Sequence, residues 1–234
     1  IAKSSIPKGE ESIWKPLLKD RDMDLYRVPR TSHMFVFYPT VNNVKLDETQ
    51  IKKEYPSTWK YLLTHKGFLQ NRKSANKSSW WKLTSPRDPQ KLFSPKIVTP
   101  HLVLLPKFSI DLNGKYAVSH APYLCAKSDK ETDVRLLKFF TAILNSTIGA
   151  WLISKHSDKY GRGYSRLEVK TLSSIPVPNP AEASPTILSR LIKLVDKKIE
   201  GDSKESLDRD IDRLVSKLYD LTPEEESVIG FDEG

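Results

Sequence analysis

Sulfur is what this sequence has least of: one cysteine, Cys125, and two methionines in 234 residues. A single thiol excludes an internal disulfide and a cysteine-based zinc site. No apolar run approaches the roughly 18–20 residues of a membrane span, and charge or proline interrupts the longest ones. The five histidines, His33, His65, His101, His120 and His156, never fall four residues apart, so no helical face offers a histidine pair to a metal. The phosphate-cradling P-loop, the zinc-protease H-E-x-x-H, the hydrolase G-x-S-x-G and the dinucleotide-binding glycine fingerprint are all missing. The chain opens at Ile1 without a basic leader and apolar block, so no secretion signal is expected and the sequence reads as an excised or processed piece.

What is present is enough chain for one large domain or a domain with an appendage, and an uneven distribution of charge. The formal net charge is +9. Residues 1–170 carry 30 basic and 15 acidic side chains, whereas residues 171–234 carry 8 and 14. A basic body with an acidic tail fits a body that faces a polyanion, although a solvated basic surface has the same composition.

Sixteen prolines and nine glycines cut the first part into short elements. The spacing of Ile13, Trp14, Leu17 and Leu18 predicts a short amphipathic turn, and "HMFVFYP" from His33 to Pro39 predicts a strand. Ile51, Tyr55, Trp59, Leu62 and Leu63 follow helical spacing, with Pro56 starting a second helix. Residues 74–93 read as loop, with a short strand through Trp80, Trp81 and Leu83. "KIVTP", "HLVLLP" and Phe108–Ser119 form the main β region, the last expected as a hairpin turning at Asn113-Gly114. Helical spacing returns from about Thr132 to His156 and is divided near Asn145-Ser146 and Gly149, with Asn145 or Ser146 as cap. A basic, glycine-rich loop then leads into a proline-locked exit. Two amphipathic stripes follow, Leu188/Leu191/Ile192/Val195 and Leu207/Ile211/Leu214/Val215/Leu218. An Asp202/Glu205 capping box is expected before the second, and Thr222 with Pro223 should start a last short helix. The fold class is α+β: a mixed or antiparallel sheet with packed helices and a C-terminal helical hairpin. The expected division is residues 1–178 as the main domain and 179–234 as a helical region packed on it.

Two segments interleave cations with aromatic rings. The first sets Arg72, Lys73, Lys77 and Lys82 around Trp80 and Trp81; the second sets Lys155, Lys159, Arg162 and Arg166 around Tyr160 and Tyr164. Such segments neutralise phosphates, fork onto guanine edges and pack rings on sugars or bases. Trp80, Trp81 and Tyr164 are equally candidates for the core. A different reading takes "EVK" (Glu168, Val169, Lys170) with an aspartate such as Asp158 as a metal-dependent nuclease centre, a pattern short enough to occur by chance.

The order of "YPSTWKYLLTHKGFLQNR", "SPKIVTPHLVLLPKFSIDLNGKYAVSHAPYLCA" and "LLKFFTAILNSTIGAWLISKHSDKYGRGYSRLEVKTLSSIPVPNP" resembles the C-terminal specificity region of Taq-type adenine-N6 DNA methyltransferases and of fused type II restriction-modification enzymes. The markers are Tyr55-Pro56 through Leu69 and Arg72, Pro95-Lys96-Ile97, Leu144-Asn145-Ser146 and Ile175-Pro176-Val177-Pro178. The resemblance implies a double-stranded DNA target-recognition domain and a partner methyltransferase domain of the same chain, N-terminal to these residues. It implies a cytoplasmic, prokaryotic protein with no membrane association. S-adenosylmethionine would be the cofactor of that partner domain. Neither its Asn/Asp-Pro-Pro-aromatic motif nor its cofactor loop occurs in this sequence, so recognition carries over and catalysis does not. No cofactor, metal or catalytic residue is expected in the chain itself. A specificity subunit of a multi-subunit system is the related alternative.

Overall fold

In the computed structural model, residues 1–42, 44–73 and 77–230 are described. The chain runs β1 (Trp14–Leu18), β2 (Tyr26–Arg27), β3 (Phe35–Phe37), β4 (Thr40–Val41), β5 (Val44–Lys45), α1 (Glu48–Glu54), α2 (Pro56–Thr64), α3 (Lys66–Gln70) and α4 (Pro89–Leu92). It continues through β6 (Lys96–Val98), β7 (Leu102–Val103), β8 (Ser109–Asp111), β9 (Ala117–Val118), β10 (Tyr123–Cys125), α5 (Glu131–Asn145) and α6 (Thr147–His156). It ends with β11 (Asp158–Tyr160), β12 (Tyr164–Arg166), α7 (Val169–Ser173), α8 (Pro185–Glu200), α9 (Glu205–Tyr219) and α10 (Pro223–Ile229). The fold is α+β, with mixed and antiparallel sheets and helices closing the C-terminal end.

The residues group into two units interleaved in sequence. The first comprises Ile1–Leu18, Thr31–Phe93 and Lys115–Val118; the second comprises Lys19–Arg30, Ser94–Gly114 and Ser119–Gly234. Residues 179–230 thus share a unit with the segments preceding them.

The first unit is organised by aromatic rings. Trp14, Phe37, Ile51, Leu62, Trp80 and Trp81 form its buried cluster, with Trp59 packed against it. The expected amphipathic turn at Ile13–Leu18 is instead a 3-10 turn followed by β1, which pairs antiparallel with β3 and parallel with β9. Pairing with segments distant in sequence overrides the local helical spacing. Pro56 opens α2 as expected, and the Glu10 carboxylate accepts from the Ser57 and Thr58 amides at 2.9 and 2.7 Å, satisfying donors that the helix start leaves open. Burial alone would push the Glu10 carboxyl up; the hydrogen bonds from Thr58 and Ser57 outweigh it and hold the group below its ordinary value. The strand expected through Trp80–Leu83 does not form. A 3-10 turn at Lys77–Ser79 leads into irregular chain there, and residues 74–76 of the expected loop lie outside the described residues.

The second unit packs α5, α6, α8 and α9 with the sheet β10-β6-β8-β2. The Leu144-Asn145-Ser146 step is its main joint. α5 and α6 meet there at a bend of 74°. Ser146 caps α6 by accepting from the Gly149 amide at 3.1 Å. Asn145 accepts from the Phe108 amide at 2.8 Å and donates to the Phe108 carbonyl at 2.9 Å, fixing α5 to the strand side. Gly149 lies inside α6, where it does not divide the helix. A Cβ at this position would stand 2.1 Å from the Ile143 carbonyl oxygen, so the bend itself demands glycine. Asp212 of α9 completes the joint, accepting from the Thr147 amide at 2.8 Å and hydroxyl at 2.7 Å.

Within the sheet, Lys96 of β6 stands opposite Asp111 of β8, and the two form a fully buried ion pair at 2.7 Å. Desolvation lowers the Lys96 ammonium pKa, against the stabilising charge of Asp111. The expected Asn113-Gly114 hairpin is corrected. Gly114 does turn the chain, with φ 58°, but β8 joins β6 and β2 in this unit while β9 joins β1 in the other. The turn is a crossing between units because each flanking strand finds its partners elsewhere.

Both tail stripes turn inward: Leu191, Ile192 and Val195 in α8, and Leu207, Ile211, Leu214 and Val215 in α9 are buried, while Leu188 and Leu218 are half-buried against the same core. Asp202 makes a local turn, accepting from the Lys204 amide at 3.2 Å; α9 starts after Lys204 without a side-chain cap, so the Asp202/Glu205 box is absent. The Thr222/Glu225 box with Pro223 is present. Tyr219 donates to the Pro176 carbonyl at 2.8 Å, tying the proline-locked exit to α9. No single helix is long and apolar enough to cross a membrane among the described residues; α5 and α6 together pass on length and composition but supply the core.

Candidate nucleic-acid interface

The segment expected as a basic loop, residues 158–166, is a β-hairpin. β11 and β12 pair antiparallel with Tyr160 opposite Tyr164, and β12 pairs on its other side with β7. The turn is Gly161-Arg162-Gly163. Gly163 has φ 81°, which costs glycine little, but Arg162 itself has φ 64° and ψ 28°. Left-handed backbone costs an ordinary L-residue about 1–2 kcal/mol. The exposed side chain at the hairpin apex makes no hydrogen bond or ion pair with the described residues.

Strand alternation then sorts the remaining residues. Tyr160, Tyr164 and Arg166 share one face. The Arg166 guanidinium carbon stands 5.0 Å from the centre of the Tyr160 ring, a cation–π contact, and its Nη1 lies 3.8 Å from Glu168 Oε1. Tyr160 is 51% exposed, while Tyr164 is half-buried. Lys159 alternates to the other face, opposite Ser165, and donates to its hydroxyl at 3.2 Å. Lys155 lies on α6 with its ammonium 5.4 Å from the Trp151 ring centre. Sequence proximity suggested one cluster; the hairpin divides it into an apex, an aromatic face and a reverse face.

The other basic segment belongs to the first unit and is built differently. Arg72 Nε donates to the Leu69 carbonyl at 2.9 Å, and its Nη2 donates to the Trp80 and Lys82 carbonyls at 2.6 and 2.9 Å. Three backbone acceptors thus occupy its planar fork. Trp80 and Trp81 are 6% and 4% exposed, and Trp81 donates to Glu48 at 3.2 Å. Lys73, Lys77 and Lys82 remain at the surface, with the Lys82 ammonium 5.1 Å from the Trp81 ring centre.

Sequence reasoning passed over residues beside the hairpin. Leu104 and Leu105, immediately after β7, are 60% and 79% exposed. They line a shallow depression of about 400 Å3 with Tyr164, Arg21 and Lys107. The clue was in "HLVLLP": a run of four apolar residues exceeds what a two-residue strand can bury. As for the nuclease reading, Glu168 precedes α7 and faces Arg166, and Asp158 stands opposite Arg166 in register. Among the described residues, no three His, Cys, Asp or Glu side chains come together to hold a metal.

A model of the TaqI-like C-terminal specificity domain matches residues 40–177, more than half of the sequence, and the chain belongs to that family. It is a specificity domain of the kind carried by restriction-modification enzymes. Among individual relatives, the type II methyltransferase M.BanIII of Aneurinibacillus aneurinilyticus is 25% identical over 173 residues. That match covers 71% of this chain and 29% of the methyltransferase, so the chain spans less than a third of its relative. The type IIG restriction endonuclease BpuSI aligns in structure over 94% of this chain and 27% of its own, with a TM-score of 0.45 and 13% identity.

Proposed function

We propose that this chain is the double-stranded DNA reading module of a site-specific adenine-N6 methyltransferase, with the catalytic domain and its S-adenosylmethionine supplied by other residues of the same protein. The carrying observation is the β11–β12 hairpin: a strained Arg162, without a partner among the described residues, held at the apex of a cationic, tyrosine-bearing ribbon. A two-stranded ribbon fits the major groove, where a guanidinium can make two hydrogen bonds to one guanine edge. Methylating a base within a duplex requires drawing it out of the stack, so a second body must hold register and read the neighbouring pairs. Family membership supports this division of labour.

The roles of the basic residues divide accordingly. Arg162 reads a base, Tyr160, Tyr164 and Arg166 contact the groove wall or bases, and Lys155 and Lys159 hold phosphates. Arg72 shapes its loop, leaving Lys73, Lys77 and Lys82 as phosphate contacts of the first unit. The test is selection from a randomised duplex pool followed by titration of the enriched sequence across a salt series. A defined motif with affinity falling steeply as salt rises is expected, because each neutralised phosphate releases condensed counterions. No enrichment, with flat salt dependence, would reject the reading.

A further inference from the structure

The Leu104–Leu105 tip is the most exposed paired apolar feature of the hairpin sheet, and no packing within the second unit explains it. β7 forms the third strand beside β12, with Leu102 opposite Arg166 and Val103 opposite Ser165. Val103 and Ser165 are buried together, whereas Leu102, Arg166 and Tyr164 are only half-buried. The chain beyond Val103 leaves the sheet and presents both leucines before Pro106. Around them stand Tyr164 and the cations Lys107 and Arg21, the latter an exposed side chain whose Nε lies 3.7 Å from Asp22 Oδ1. The one carboxylate in the depression, Asp20, is engaged, accepting from the His101 amide at 2.9 Å.

A patch that only clamped phosphate would have cations or small polar groups at its centre. Here the centre is apolar and its rim cationic, the arrangement that suits a polyanion whose interior edges carry methyl groups. In duplex DNA one base carries such a group into the major groove, thymine with its C5-methyl. Resting on the DNA-reading proposal above, we infer that Leu104 and Leu105 contact thymine methyl groups beside the base pair reached by Arg162, making the β7 tip a second specificity determinant. The occupant is the major-groove edge of double-stranded DNA; the cations on the rim argue for it over another apolar protein face. Because both leucines are exposed, replacing them leaves the core intact.

The experiment starts from the duplex enriched in the selection and replaces each thymine singly with deoxyuridine, which lacks only the methyl. Affinities are measured for the unaltered chain and for Leu104→Ala, Leu105→Ala and Phe68→Ala, the last removing an equally exposed side chain of the first unit (77% exposed). Deoxyuridine at one or two positions should weaken the unaltered chain by about three- to fivefold, the worth of one buried methyl. Leu105→Ala or Leu104→Ala should abolish that response at the same position, and Phe68→Ala should leave it unchanged. If the chain binds its duplex but no deoxyuridine position responds, or the response survives both leucine changes, the methyl contact is wrong although DNA reading stands. If 2-aminopurine fluorescence in the duplex rises on binding and depends on Leu105, while no deoxyuridine position responds, the tip is a wedge between bases and the inference is likewise overturned. Absence of any enriched duplex would instead defeat the underlying reading.

Discussion

Residues 72–82 and 155–166 read almost alike in sequence, as cations interleaved with large rings, yet the structure uses them in opposite ways. In the first, the rings are core and Arg72 is spent on three carbonyls. In the second, Tyr160 is half-exposed and Arg162 carries backbone strain at an apex. The lesson concerns where stability is placed. Tryptophan buries more area than any other side chain and is seldom left in water without a partner, whereas tyrosine tolerates a wet edge. An arginine beside buried rings completes a loop's hydrogen bonding; one between two glycines does nothing for the fold and is available to a ligand.

The largest expected break of this contrast is Trp81→Ala, which empties a site in the aromatic cluster and should cost about 3–5 kcal/mol of stability. Chemical denaturation measures it, and at temperatures where the variant remains folded its preference among duplex sequences should be unaltered. Arg72→Ala follows at about 1–3 kcal/mol, since it strands the Leu69, Trp80 and Lys82 carbonyls. Its effect on DNA should be uniform across sequences. If either variant shifted discrimination at a single base pair, the first segment would be a reader as well.

Arg162→Gly should act in the opposite direction. Relief of the left-handed strain, partly offset by the entropy glycine adds to the unfolded chain, should raise stability by up to about 1 kcal/mol. Sequence discrimination should fall at the same time. A loss of stability would show that the arginine supports the turn. Arg166→Ala should cost little stability, because its exposed pair with Glu168 is worth about 0–1 kcal/mol.

The two carboxylates at helix starts give the smallest and most selective contrast, read by urea midpoints from about pH 3 to 7. Glu10, held below its ordinary value of 4.5, contributes stability that is present above that pH and lost as the pH falls through its folded value. Burial pushes Asp212 above its ordinary 3.8, partly opposed by Thr147, so its contribution is fully present below that pH and is lost as the pH rises through the folded value. Glu10→Gln should therefore lose most, relative to the unaltered chain, at neutral pH. Asp212→Asn should compare worst at the acid end. Parallel pH profiles for both variants would contradict the two assignments.

Legibility in sequence followed locality. The split of α5 from α6, the Ser146 cap, the Thr222 cap and both tail stripes are set by residues within a few positions of each other, and all could be read. β1 and the Asn113-Gly114 crossing could not, because their outcome depends on partners about ten to a hundred residues away. The cations and rings of segment 155–166 are plain in its composition, but its hairpin form is not. Alternation on β11 and β12 is what sends Lys159 away from Arg166, and the pairing of β12 with β7 is what brings Leu104 and Leu105 beside the same sheet. Arg72 shows the limit of composition, because a guanidinium bonded to backbone carbonyls has the same sequence signature as one turned outward.

The most direct test of the central claim compares the unaltered chain with Arg162→Ala and Lys159→Ala, on the enriched duplex and on every single-base variant of it. Arg162→Ala should erase about 1–3 kcal/mol of discrimination at one base pair, while Lys159→Ala should weaken all duplexes alike. Equal losses on every duplex for both variants would contradict base reading at the hairpin apex and reduce Arg162 to a phosphate contact.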